Sequence, residues 1–298
     1  MKVAALDLGS NTFLCLICEV EQLTITKTYS DEVQVVRLGQ GLSASKKFHP
    51  DALVRARECL SKFKTLIDQH RPERILAMAT SAARDAENQH ELFQICSDLN
   101  IPIEIIPGEK EADITYRGAT SGQASNSNRL IIDIGGGSTE FIFGEGSQIN
   151  FARSFDIGCV RLTEKFITQQ PTPDVQIESC RSFIKKTIAI LPEIQIENVL
   201  AVAGTPTTLA AVEIGKFSVD LIDGYEMSIE SLEKWLCRLV KLNVQEKIDL
   251  GFPAGRADVM LVGVLILIET LKKVNLSKIV VSTRGVRHGV ALELASRP

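Results

Sequence analysis

The sequence predicts an α/β protein of two domains, each a mixed β-sheet covered by helices. Three observations carry that prediction. Strand-like apolar runs alternate with segments of helical apolar periodicity along the whole chain. One pattern, apolar strand, aspartate, small-residue loop and apolar strand, is written twice, as "VAALDLGSNTFLCLI" at 3–17 and "LIIDIGGGSTEFIFG" at 130–144. Asp7 aligns with Asp133 and Gly9 with Gly135, a repeat of 133 − 7 = 126 residues, which is a domain length and not a solenoid unit. Finally, the polar stretch "TSGQASNSN" at 120–128 reads as a linker just before the second copy. The expected domains are therefore 1–122 and 123–298, with the last helix a candidate to pack back on the first.

In order along the chain, apolar alternation and short apolar runs place strands at 2–8, 13–20 and 22–29. Helical spacing follows at 50–69, a strand at 73–79, a helix at 80–97, a strand at 101–106 and a helix at 108–119. Pro107 and Gly108 stop that strand and open the helix. Beyond the linker come strands at 129–134, 139–144 and 148–154, helices at 156–168 and 174–190, and a strand at 198–203. Helices at 205–214, 228–242 and 254–273, a strand at 277–283 and a helix at 285–296 complete the chain. Hairpins followed by strand–helix crossovers make each sheet mixed.

Composition fits this frame. Of 298 residues, 45% are hydrophobic and 23% charged, ordinary usage for a globular chain with room for two cores. The net charge of −4, from 33 basic and 37 acidic residues, argues against a nucleic-acid coat and leaves any polyanion to local basic residues and metal. Seven cysteines lie scattered without CxxC pairing, which reads as small core residues of a reducing compartment. "MKVAALDLGS" enters a strand directly, so no signal peptide is expected. The apolar run "VMLVGVLILI" at 259–268 ends at Glu269, too short for a bilayer span. The expected protein is cytoplasmic, with no membrane partner.

The repeated loops carry the chemistry. Three consecutive glycines, Gly135, Gly136 and Gly137, bare a stretch of backbone N–H groups that can approach a bulky anion, of which phosphate is the usual case. Asp133 would repel a bare phosphate, so a metal ion between them is the natural supposition. A glycine-rich turn capped by Asp133 is the plain alternative for one loop. Two loops matching at domain spacing suggest two carboxylates and two cradles for a polyphosphate. In "PGEKEAD", Glu109 and Glu111 lie in a helix first turn, where acidic residues commonly just complement the macrodipole.

The chain resembles the exopolyphosphatase/guanosine pentaphosphatase (Ppx/GppA) family, in its short two-domain form. The resemblance runs through eight blocks in order: "ALDLGSNTFLCLI", "MATSAARDAEN", "IEIIPGEKEADITYRGA", "LIIDIGGGSTEFIFG", "DIGCVRLTE", "AVAGTPTTLAA", "GRADVMLVGVLIL" and "VSTRGVRHGVAL". It implies two ribonuclease-H-like, actin-like domains with an active-site cleft between them. The implied activity is hydrolysis of the terminal phosphoryl group of inorganic polyphosphate, or of the 5′ γ-phosphate of pppGpp, with Mg²⁺ (or Mn²⁺). Residue by residue, it implies Asp7, Asp133 and Glu140 as metal ligands. Phosphate binding would fall to Gly9, Ser10, Asn11, Thr12, Gly135, Gly136, Gly137, Ser138 and Thr139. It singles out Glu111 as the carboxylate that activates water, with Arg84 beside the phosphate, and it implies a homodimer. Family members often carry an acidic residue where Lys110 stands, so an extra cation beside Glu111 is expected to favour the ionised base.

Several residues keep two readings. Arg84 can bind a phosphate bidentately or pair with Asp85 or Glu87 on a helix surface. Gly204 and Thr205 in "AGTPTTLA" can touch phosphate, or Thr205 can cap a helix whose first turn holds Pro206. Lys46 and Lys47 read as a solvated loop, and Arg256, Arg284, Arg287 and His288 as a candidate basic track. Three functions compete: an exopolyphosphatase, a pppGpp phosphohydrolase, and a catalytically silent (p)ppGpp-binding regulator. Intact Glu111, Asp133 and Glu140 argue against the third.

Overall fold

The computed structural model describes residues 1–121 and 127–297. The chain forms two compact units, one of residues 1–124 with 284–298 and the other of residues 125–283. The boundary expected at 122/123 falls among residues outside the described set.

In the first unit, β1 (Lys2–Leu8), β2 (Thr12–Glu21) and β3 (Thr24–Val35) make an antiparallel meander, and α1 (Leu42–Ser45) and α2 (Pro50–His70) return the chain to β4 (Arg74–Ala79). Then α3 (Ser81–Asp85) and α4 (Gln89–Asp98) lead to β5 (Ile103–Ile105), and α5 (Gly108–Thr120) comes next. The second unit begins with β6 (Asn128–Ile134), β7 (Thr139–Glu145) and β8 (Gln148–Phe155), followed by α6 (Cys159–Phe166), α7 (Asp174–Ile188) and β9 (Asn198–Val202). It continues through α8 (Gly204–Ile214), α9 (Val219–Ile222), β10 (Glu226–Ser228), α10 (Ile229–Val240), α11 (Val244–Asp249), α12 (Met260–Val274) and β11 (Lys278–Val281). Helix α13 (Val286–Ser296) belongs to the first unit.

The strand orders show the repeat. The first sheet runs β3-β2-β1-β4-β5, and the second runs β8-β7-β6-β9-β11-β10, the same order with one strand added. β1, β4 and β5 are parallel, as are β6, β9 and β11. Both faces of the first sheet are covered. Ala4, Leu6 and Leu8 pack with Leu60, Phe63 and Leu92 of α2 and α4, whereas Val3 and Ala5 pack with Ile114, Val290 and Leu294 of α5 and α13. Burial on alternate sides explains why β1 reads as one continuous apolar run. In the second unit α12 is buried from Met260 to Leu271, which accounts for the long apolar run there. Among the described residues, no helix is long and apolar enough to cross a membrane.

Two elements differ from the periodicity. The helix expected over 80–97 is interrupted, because the Asn88 side chain anchors a distant loop. Its Oδ1 accepts from the Phe48 N–H at 2.8 Å and its Nδ2 donates to the Phe48 carbonyl at 3.3 Å. The helix expected from 254 starts at Met260, after a Pro253-to-Val259 turn held by the Arg256 N–H on the Pro253 carbonyl. Of the cysteines only Cys237 is exposed; burial pushes the thiols of Cys15, Cys18, Cys59, Cys96 and Cys180 up to about 12, so none is a ready thiolate.

Candidate active site

Parallel strands end together, so the segments leaving their C-terminal ends gather along one edge of each sheet. In the first unit β1 delivers Asp7, whose cross-sheet neighbour is Met78; β4 runs into α3 with Arg84; and β5 runs into α5 with Glu111. In the second unit β6 delivers Asp133, neighbour of Val202, and β9 runs into α8 with Gly204 and Thr205.

The two loops share their hydrogen bonding at the 126-residue offset. Gly9 N–H donates to the Thr12 carbonyl at 3.1 Å, and Gly135 N–H to the Ser138 carbonyl at 3.0 Å. The carbonyls inside each loop are taken from behind. Val36 and Arg37 N–H groups donate to Asn11 O (3.0 and 2.9 Å) and Gly39 N–H to Ser10 O (2.8 Å). In the second loop Val160 and Arg161 N–H groups donate to Gly136 O (2.9 and 3.0 Å), and Cys159 N–H donates to Gly135 O (2.9 Å). Gly158 N–H donates to Gly137 O at 3.2 Å, and so does the Arg161 Nε–H at 2.7 Å.

A trans peptide sets its N–H opposite its carbonyl. With these carbonyls drawn to one side, the N–H groups of Asn11 and Thr12, and of Gly136, Gly137 and Ser138, point to the other. That makes each loop an amide-lined concavity suited to phosphate oxygens. Gly158 is required by this contact, because a Cβ there would overlap the Gly136 carbonyl. Sequence reasoning assigned no role to Gly158, Arg161 or Gly39; the one visible signal was Gly158 just ahead of a helix.

Thr139 is placed differently from expectation. Its hydroxyl donates to the Ile157 carbonyl at 2.9 Å and so braces the hairpin behind the loop. Thr205 is likewise buried, packed where a Cβ on Gly263 of α12 would collide with it. Gly204 lies under the Arg256 guanidinium, and a Cβ at that position would overlap it. The residue before, Ala203, holds φ +69° and ψ −162°, a conformation normally left to glycine. Such strain at a strand-to-helix turn is a mark of functional sites, and nothing in an alanine codon announces it.

Glu111 and Arg84 meet. Arg84 Nη1 donates to Glu111 Oε2 at 2.7 Å and to the Ile106 carbonyl at 2.8 Å. The carboxylate is buried, its side chain 8% exposed. Burial raises the Glu111 pKa above the ordinary glutamate value, against the opposing charge and hydrogen bond of Arg84. Arg84 is thus first a partner of Glu111. Lys110 does not bias the base as expected; its Nζ turns to Glu293 Oε1 at 3.0 Å, and burial and Arg84 alone set the Glu111 shift.

The expected metal trio divides between the units. Asp133 and Glu140 are direct cross-strand partners in the second unit, whereas Asp7 faces Leu14 at the matching place in the first. Both carboxylates of the pair are buried, and Glu140 Oε1 accepts from Ser154 Oγ at 2.6 Å. Like charges directly opposite in a sheet repel, which a divalent cation relieves. Among the described residues no group of three or more His, Cys, Asp or Glu could hold a metal. The pair still fits Mg²⁺, which is commonly bound through one or two carboxylates, with water and phosphate oxygens completing its octahedron.

The candidate basic track is mostly consumed. Arg287 forks onto Asp31 at 2.7 and 2.9 Å, Arg284 donates to the Ser121 carbonyl, and His288 Nδ1 accepts from Gly285 N–H. Burial, with Arg287 and Arg284 beside it, holds the His288 pKa well below the ordinary imidazole value. Lys46 and Lys47 are exposed, as a solvated loop should be.

Comparison with known proteins leads the same way. The sequence profile of the Ppx/GppA phosphatase family matches residues 16–297. Exopolyphosphatase 2 of Mycobacterium tuberculosis is 30% identical, over 99% of this chain and 98% of that protein. The guanosine-5′-triphosphate,3′-diphosphate pyrophosphatase of Photobacterium profundum is 28% identical, over 99% of this chain and 59% of that protein. An exopolyphosphatase structure from Cytophaga hutchinsonii superposes with a TM-score of 0.91 at 27% identity, covering 98% of each chain.

Proposed function

We propose, since this chain belongs to the Ppx/GppA phosphatase family, that it hydrolyses the terminal phosphoryl group of inorganic polyphosphate. The observation that carries the reading is Glu111, buried and held by Arg84 where β4 and β5 end. Its carboxylate orients a water and takes the proton as the oxygen bonds to phosphorus, while the bridging P–O bond breaks and the shortened chain leaves with orthophosphate released. With Nη1 committed to Glu111, the remaining N–H groups of Arg84 are those that receive a phosphoryl oxygen. In each unit the loop amides, those of Asn11 and Thr12 in one and of Gly136, Gly137 and Ser138 in the other, are the groups suited to receive phosphate oxygens, and Ser10 and Ser138 add hydroxyls to the same loops. Asp133 and Glu140 would hold Mg²⁺, with Asp7 at the matching place of the other loop. The ion would supply charge neutralisation on the phosphoryl oxygens.

Hydrolysis of pppGpp is the second reading, favoured by the Photobacterium relative, which matches nearly all of this chain. Polyphosphate is preferred because the chain matches Exopolyphosphatase 2 over 98% of that protein, against 59% of the Photobacterium pyrophosphatase. Phosphate release from polyphosphate, pppGpp and ATP, measured side by side with Mg²⁺, tests both. Release from polyphosphate at the highest kcat/KM is expected; release from pppGpp alone would transfer the assignment, and release from neither would overturn it.

A further inference from the structure

Glu111 sits in the first turn of α5, whose own ties are few: the Glu111 amide donates to the Pro107 carbonyl at 3.0 Å, and Lys110 Nζ lies 3.9 Å from Asp113 on the same helix. The N-cap residue of α5 is Pro107, which makes no side-chain capping bond. The first amides of a helix have no intrahelical partner, so an uncapped first turn frays. Arg84 grips the Glu111 carboxylate, but a grip on the side-chain tip does not fix the backbone that carries it.

What does hold α5 is α13. The two helices cross at glycines: a Cβ on Gly289 would overlap the Ile114 carbonyl, and one on Gly118 would overlap that of Gly285. Beneath the crossing, Val286, Val290 and Leu294 share a core cluster with Ile106 and Ile114. At its rim stands Glu293, whose side chain is 15% exposed. Oε1 lies 3.0 Å from Lys110 Nζ, on the residue just before Glu111. Oε2 lies 2.9 Å from Arg117 Nη2, two turns further along α5. The end of α13 is itself fastened to the strand that feeds α5, through Arg297 on Glu104 at 2.8 and 3.0 Å. The Lys110 side chain is 37% exposed, and bridges so exposed add little to global stability. Its position matters more than its strength.

We infer that Glu293 is a positioning residue for the water-activating carboxylate: through Lys110 it pins the uncapped first turn of α5, and so fixes the approach of Glu111. This rests on the reading of Glu111 as the base. The test compares the full-length parent with Glu293→Gln, Lys110→Met and the double variant. Phosphate-release kinetics, thermal midpoint and hydrogen exchange of the amides over 109–112 are measured on each.

A 1 Å misplacement costs about 10²-fold and a loosened turn shifts the carboxylate by a fraction of that, so kcat for each single variant should fall roughly 10-fold, with KM within about twofold and the thermal midpoint unmoved. Exchange over 109–112 should quicken, and the double variant should be no worse than either single. Unchanged kcat and exchange, or losses that multiply in the double variant, would overturn the inference. A fall in kcat that tracked a lowered thermal midpoint would also overturn it, by making Glu293 merely structural. Were the parent to release no phosphate, the assigned chemistry would fall, and exchange alone would decide whether Glu293 pins the turn.

Discussion

Burial and the Arg84 guanidinium pull the Glu111 carboxyl in opposite directions, and burial wins. A base must be ionised, so the acidic limb of the pH–rate profile should lie above the ordinary glutamate range. Replacing Arg84 by Gln removes the cation that lowers this pKa. The base then stays protonated to higher pH, and the acidic limb should move upward while kcat falls. A limb that stayed in place would separate Arg84 from the ionisation of the base. Glu111→Gln keeps the shape and removes the proton acceptor, so turnover should drop about 10²–10⁴-fold with polyphosphate binding retained, checked by release and binding on one folded preparation. At this scale the sequence was legible only in part. Glu111 in "PGEKEAD" looks like any acidic residue complementing a helix dipole until the family resemblance separates it. The partner of Arg84 was not legible, because the interruption after α3 depends on Asn88 gripping a loop forty residues away.

Elements were easier to read, since the central strands are buried on both faces and long helices repeat their apolar spacing. The periodicity located ten strands and nine helical segments close to those observed, and missed α1, α9, β10 and α11, all of them too short to show a period. The glycine loop and the helix behind it were both visible in the sequence; the contact between them was not. Gly158 at the head of α6 touches the loop from behind, and a side chain there must push the Gly136 carbonyl away. Gly158→Ala should therefore misalign the cradle and cut kcat/KM for polyphosphate by on the order of 10²-fold. Normal kinetics in this variant would mean that the loop does not need α6 behind it. The facing pair on β6 and β7 makes a separate prediction. Asp133→Asn or Glu140→Gln should lower activity and raise the Mg²⁺ needed for half-maximal rate, read from a Mg²⁺ titration of phosphate release.

For the molecule as a whole, the notable fact is that the first unit is not contiguous in sequence: residues 284–298 complete it. Val286, Val290, Ala291 and Leu294 bury their side chains there, each worth roughly 1.5–3 kcal/mol for the larger aliphatics. Their sum approaches the roughly 5–15 kcal/mol that holds a whole domain together. Deleting 284–298 should therefore unfold the first unit and leave the second intact, seen as proteolysis confined to residues before the linker. The repeat at 126 residues was plain in the sequence and gives both sheets their order; the return of the last helix to the first unit could only be offered as a candidate.

That discontinuity bears on how the protein is made. A ribosome issues β1 through α5 first, then all of the second unit, and only afterwards the segment that clamps α5. At roughly 5–20 residues per second this interval lasts on the order of ten seconds. Through it the nascent first unit carries an open apolar face over Val3, Ala5 and Ile114. Such a face is what holdase chaperones recognise, so the first half of the chain is the expected client while the second folds. The carboxylate proposed as the base is consequently the last part of the proposed site to be locked in place, because the helix that clamps α5 is the last to be made.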